Sequence, residues 1–219
     1  MFNLKFPFSN KIVDEIVILG RGTSKETFFD KQNSFLDIKN VMLVNYRDAD
    51  LINDDLSYLI DKKIHILFNI CEPYLNKYQI KKLKIASVHI ARTSSMRFKK
   101  TGRRLNRNGD IYGKKVRYLP NEINSYWYLN NCGLLGIAYA TKILKAQRII
   151  LFGFDFYQEE NFFHKPVNQH ITKDESKAWK KTGYEEKLLF LDFVKKNSHV
   201  NYYICSKTDF QPTDNLHLV

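Results

Sequence analysis

Compact runs of large and β-branched apolar residues recur along the chain at Glu15–Gly20 (EIVILG), Val41–Asn45 (VMLVN), Ile64–Asn69 (IHILFN), Ile85–Ile90 (IASVHI), Arg148–Phe152 (RIILF) and Asn201–Ser206 (NYYICS). Runs this short, apolar at odd and even positions alike, read as parallel strands buried on both faces. Helical patterns separate them at Asp50–Asp61, Glu72–Lys82, a small-residue stretch from about Cys132 to Lys145, and Tyr184–Lys196. The alternation predicts an α/β fold: a Rossmann-like α/β/α sandwich with a mostly parallel central sheet. Two long polar connections interrupt it, Arg92–Asn124 and Glu159–Ser176. Long connections in compact α/β domains are more often functional than idle, and the second is expected to form a lid.

The 219 residues suit one domain with an ample core. With 44% apolar residues, 9 glycines and 5 prolines, the chain is not a disordered tail or a collagen-like repeat. The three cysteines, Cys71, Cys132 and Cys205, are far apart and provide neither a disulfide nor a metal framework, which fits a reducing compartment. No stretch approaches the roughly 18 apolar residues of a membrane span, and Met1–Phe8 does not resemble a secretory signal. A cytoplasmic protein is therefore expected. Charge changes the picture only locally. The net charge is +12, yet +9 of it lies between Arg92 and Tyr118, where ten Lys and Arg residues face the single acid Asp110. The rest is nearly balanced, so the charge describes one basic segment and not the whole molecule.

In an open parallel sheet, ligands bind beyond the carboxyl ends of the strands. The residues expected there are Gly20-Arg21-Gly22-Thr23-Ser24, Asn45, Asn69 and Gly153-Phe154-Asp155-Phe156-Tyr157. Glycines let backbone approach a phosphate and amides read base edges and hydroxyls, so this set suits a ribonucleotide. The first turn is not the full G-x-G-x-x-G fingerprint, because Lys25 fills its last position. Asn130-Asn131-Cys132-Gly133 opens the small-residue helix, whose free N–H groups suit an anion. Thr172-x-x-Glu175 has capping-box spacing and starts a helix just after His170. The positive end of that helix disfavours imidazolium, so His170 is a candidate general base, with His164 its rival.

Two other chemistries compete. Asp48-Ala49-Asp50 has the D-x-D look of metal-dependent transferases of nucleotide-diphospho-sugars, although acids at a helix start are common anyway. The basic segment Arg92–Arg117, with Phe98, Tyr112 and Tyr118 interleaved, suits a nucleic-acid-binding module. Alternatively it is a partly disordered loop that attracts an anionic acceptor glycan or the head groups of a membrane surface.

From about Glu15 to Ser206 the sequence resembles the bacterial sialyltransferases of glycosyltransferase family 42. Ile16–Ser24 (IVILGRGTS) is similar to that family's opening strand and G-x-G-x-S turn. Asn131–Ala140 (NCGLLGIAYA) with Arg148–Tyr157 (RIILFGFDFY) is similar to its central helix and following strand, and Leu189–Phe193 with Asn201–Ser206 to its closing helix and strand. The spacing from His170 to Glu175 also resembles the H-x4-E motif of animal sialyltransferases. Departures are Arg21 in place of asparagine, Cys132 in place of serine, Phe163 in place of a second tyrosine, and Leu129 in place of arginine. The resemblance implies transfer of a sialic-acid-like nonulosonic sugar from a CMP-activated donor to a glycan or glycolipid hydroxyl, inverting, without metal or further cofactor. It implies that Gly20, Gly22 and Ser24 line the phosphate turn and that Asn45 and Asn69 hold cytidine. Asn131, Cys132 and Gly133 would meet the donor's carboxylate or phosphate, Tyr157 the leaving phosphate, and His170 the acceptor's proton.

Overall fold

The computed structural model describes residues 13–35, 37–45, 59–68, 83–90, 110–111, 114–115, 117–124, 126, 131–158 and 173–219. All six expected strands form: β1 Glu15–Leu19, β2 Asn40–Val44, β3 Lys63–Phe68, β4 Lys84–Ile90, β8 Arg148–Phe152 and β9 Asn201–Cys205. Among the described residues, two further short strands join them, β7 Arg117–Tyr118 and β10 Leu216–Leu218, and β5 Asp110–Ile111 and β6 Lys114–Lys115 form a separate pair. Among the described residues, the main sheet has eight strands in the order β10-β9-β8-β1-β2-β3-β4-β7, and every pairing in it is parallel. The end of the basic connection is thus not irregular. It carries the antiparallel β5–β6 pair and then β7, which extends the sheet beside β4.

Alternation along each strand divides the apolar residues between two cores. Ile16, Ile18, Met42, Val44, Leu67, Ile149, Leu151, Tyr202 and Ile204 face one side. Val17, Leu19, Val41, Leu43, Ile64, Ile66, Phe68, Ile150 and Phe152 face the other, where Phe28, Phe35 and Leu59 cover them. The first core is closed by α3 (Cys132–Lys142) and α4 (Lys173–Lys196), two later members of a helix set that also includes α1 (Glu26–Lys31) and α2 (Asn121–Asn124). Every residue of α3 from Cys132 to Thr141 is buried. A Cβ on its Gly136 would already lie 3.1–3.4 Å from Met42, Leu67 and Val44, so the small-residue face is what seats the helix on the sheet.

The helix expected from Tyr184 is the second half of α4, a 24-residue helix that begins one residue after Thr172. Its far end is tied down by Asn215, whose side-chain amide donates to the carbonyls of Val194, Asn197 and Val200 at 3.0, 3.3 and 3.1 Å. The expected helices over 50–61 and 72–82 lie largely outside the described residues, as does most of the expected lid at 159–176. Among the described residues, no helix is long and apolar enough to cross a membrane.

Candidate active site

Sheet order places the site. From β1 the chain steps outward through β2, β3 and β4, then returns to lay β8 on the other side of β1 and continues to β9. Neighbouring strands whose chains depart in opposite directions leave a crevice beyond their carboxyl ends. Here those ends are the Gly20–Ser24 and Gly153–Tyr157 turns.

The two turns are built into each other. Gly20 N–H donates to Phe152 O at 2.7 Å and Gly22 N–H to Gly153 O at 2.9 Å. Gly153 has φ +76°, and a Cβ there would fall 2.7 Å from the carbonyl carbon of Gly20, so both its conformation and its surroundings demand glycine. Ser24 is buried, and its Oγ accepts from Gly153 N–H at 3.0 Å. Asp155, 3% exposed, completes the clip. Its Oδ2 accepts from Ser24 N–H at 2.8 Å and from the Thr23 hydroxyl at 3.4 Å. Its Oδ1 accepts from the Ser206 hydroxyl and Lys207 N–H, both at 3.2 Å. One carboxylate therefore fastens together the loops that follow β1, β8 and β9.

This bracing supports a strained turn. Phe156 and Tyr157 both have left-handed backbones, φ 48° and 53°. For residues with side chains that conformation costs of order 1–2 kcal/mol each and persists where the surroundings over-determine it. Gln158 helps to hold it by donating from Nε2 to Phe156 O at 2.9 Å and to Lys180 O of α4 at 3.1 Å. The result turns Tyr157 toward α4, where its ring packs 4.9 Å from that of Trp179.

Asn131 caps α3. Its Oδ1 accepts from Gly133 N–H at 2.6 Å and Leu134 N–H at 3.3 Å, which fills two donors of the helix's first turn. With the oxygen fixed there, the amide nitrogen points to α4 and donates to Glu186 Oε2 at 2.7 Å. Burial pushes the Glu186 carboxyl up to about 7, against the Asn131 hydrogen bond and with help from Glu185. Burial also raises the Tyr157 hydroxyl, and the Glu186 charge adds to that, while Asn131 and Arg21 oppose it. Cys132 is raised by burial alone and stays a thiol within the core.

Of the residues expected at the site, Tyr157 is hydrogen-bonded to Asn131 and electrostatically coupled to Arg21 and Cys132. Gly20, Gly22, Ser24 and Asp155 form the site's floor, their side chains or Cα positions committed to packing the two turns. Gly133 packs against the Phe154 ring. Asn45 sits at the end of β2 with φ 55°, its N–H donating to Leu67 O at 2.8 Å. Asn69, His164, His170, Asp48, Asp50 and residues 92–109 lie outside the described residues, and Glu175 lies in the first turn of α4. Among the described residues, no group of three or more His, Cys, Asp or Glu could hold a metal ion. Glu186 and Trp179 were not anticipated. The signal available for Glu186 was its place on the stripe of α4 that faces the core, four residues before Phe190 and seven before Phe193.

An open, parallel, doubly wound sheet with its crevice where the strand order reverses defines a Rossmann-like α/β protein. The fold is similar to that of a tyrosine-to-phenylalanine variant of the sialyltransferase Cst-II in complex with CMP, with a TM-score of 0.51 and 16% identity over 92% of this chain and 87% of that one. No family model matches the chain, and no curated protein does.

Proposed function

We propose that this protein is a glycosyltransferase that moves a sialic-acid-like sugar from a CMP-activated donor to a glycan hydroxyl. The observation that carries this reading is the crevice where β1 and β8 diverge, at which Tyr157 is hydrogen-bonded to Asn131 and electrostatically coupled to Arg21, in a fold shared with a sialyltransferase crystallised with CMP. Breaking the bond to CMP develops negative charge on a phosphate oxygen. Arg21 and the Tyr157 hydroxyl are of the right kind to stabilise it without metal. Burial keeps Tyr157 protonated and therefore able to donate. Asn45 and Asn69 hold the cytidine, and residues 159–176 serve as the lid that excludes water, because hydrolysis competes with transfer. The acceptor oxygen attacks the anomeric carbon from the face opposite the leaving group, which makes the transfer inverting, and His170 takes the acceptor's proton. The basic segment Arg92–Arg117 docks an anionic acceptor.

CMP is expected to raise the melting temperature without added metal, and UDP is expected to leave it unchanged with or without Mn²⁺. Stabilisation by UDP only with Mn²⁺ would instead favour Asp48 and Asp50 as ligands of a diphosphate-bound ion. His170→Ala is expected to keep CMP binding and to lose about 10²–10⁴-fold in transfer. The same loss from His164→Ala, with His170→Ala unaffected, moves the base to His164.

A further inference from the structure

The inner stripe of α4 runs through Trp179, Gly183, Glu186, Phe190 and Phe193, spaced four, three, four and three residues apart, as one face of a helix requires. Phe190 and Phe193 lie in the core. Gly183 lets the helix close directly on the backbone of Phe156, where a Cβ would come 1.7 Å from the carbonyl oxygen. Trp179 packs on Tyr157. Glu186 is therefore a carboxyl group on a stripe that otherwise makes apolar and backbone contacts. Such a group is costly to desolvate and calls for a reason. It is also aimed. Asn131 can present only its amide nitrogen to α4, because its oxygen is fixed by the cap of α3.

We propose that Glu186 is the general acid of the transfer reaction, giving its proton to the phosphate oxygen that departs with CMP. The assignment rests on the CMP-sugar reading above. In the neutral carboxyl, Oε2 is the carbonyl oxygen that accepts from Asn131, and Oε1 carries the proton. As the bond between the sugar's anomeric carbon and the phosphate oxygen breaks, its electron pair stays on that oxygen, which takes the Glu186 proton. The acceptor oxygen forms the new bond to the anomeric carbon and its own proton passes to His170. CMP leaves as the singly protonated phosphate monoester, and Glu186, now a carboxylate, recovers a proton from solvent.

Among the described residues, the titratable groups that act on Glu186 are Tyr157 from the second turn and Glu185 on its own helix, and Tyr157 in turn feels Arg21 and Cys132. The neighbouring Glu185 disfavours a second negative charge. A bound phosphate disfavours it further, so the donor itself keeps Glu186 protonated. Acid and base then titrate in opposite senses, one limb of the pH profile belonging to each.

The test measures CMP binding by calorimetry, and release of CMP from CMP-N-acetylneuraminic acid to water, from pH 5.5 to 9 in wild type, Glu186→Gln, Glu186→Asp and His170→Ala. In wild type, kcat/KM is expected to fall as pH rises above about 7, where the free enzyme's Glu186 loses its proton. Glu186→Gln is expected to lower kcat by about 10²-fold or more and to abolish that alkaline fall. His170→Ala retains the fall. CMP binding is expected to take up less proton in Glu186→Gln than in wild type, a difference that a purely structural carboxyl would not produce. Wild-type kcat/KM with an intact alkaline fall in Glu186→Gln overturns the proposal and leaves the CMP-sugar reading standing. If Glu186→Gln does not fold, Glu186→Asp decides, and an undiminished kcat/KM there also overturns the proposal. A wild type that binds no CMP, or binds it and never releases it from the sugar donor, overturns the reading and the proposal together.

Discussion

Asp155 was expected beside the donor, and its carboxylate is instead engaged by protein groups from two neighbouring loops, Thr23 and Ser24 on one side, Ser206 and Lys207 on the other. Its chemistry is that of a brace for the left-handed turn that aims Tyr157. Asp155→Asn exchanges one acceptor oxygen for two N–H donors that would face existing donors. The expected loss is about 2–3 kcal/mol of stability by urea denaturation, with weakened CMP binding, because the brace and the aim of Tyr157 fail together. A variant of unchanged stability would show that the carboxylate holds nothing. Glu186 carries the opposite lesson. In sequence it is half of an ordinary Glu-Glu pair on a charged helix. Only the rotation of α4 against the Phe156 turn distinguishes it from the exposed Glu185.

Among the elements, α4 ties the site together, and Gly183 is where it makes closest approach. Replacing glycine by alanine in an exposed helix interior favours the helix by about 1 kcal/mol. At Gly183 the sign is expected to reverse. The new methyl would meet the Phe156 carbonyl, so the helix must move outward and take Trp179 and Glu186 with it. Gly183→Ala should therefore lower both the melting temperature and the affinity for CMP. A more stable protein with undiminished CMP affinity would contradict the packing described. The strands themselves were largely legible: six apolar runs gave six strands, their ends within a residue or so of expectation. What was missed lies at the edges. β7 and β10 are only two and three residues long, with too little sequence to show a period, and they exist because β4 and β9 offer them a ladder.

At the scale of the whole molecule, two groups buried on opposite terms shape stability against pH. His65, 8% exposed, is lowered from 6.5 to about 4 by burial, with the charges of His89 and Lys63 adding. A depressed value contributes stability that is complete above pH 6.5 and lost as pH falls through about 4, worth about 3 kcal/mol. Glu186, raised from 4.5 to about 7, contributes stability that is complete below pH 4.5 and lost as pH rises through about 7. Its size is roughly 2 kcal/mol, after allowance for partial solvent screening. The two nearly offset each other across the acid range. Glu186→Gln is thus expected to exceed wild type by roughly 2 kcal/mol at pH 7.5 and to match it at pH 4.5, in urea midpoints read against pH. No gain at pH 7.5 would mean that the carboxyl is not held at a cost. A chain that keeps such a group where Gln would be more stable fits the trade of stability for activity common at functional sites. By itself the sequence determined the parallel α/β sheet, the small-residue helix and the turns at the strand ends, because periodicity and glycine placement are local properties of the chain. Only the tertiary structure decided which of those turns meet, that Asp155 is a brace, and that Glu186 stands with Asn131 and Tyr157. The first two depend on which strands become neighbours in the sheet and the third on how α4 packs across a turn some 30 residues earlier in the chain, and no local pattern encodes either.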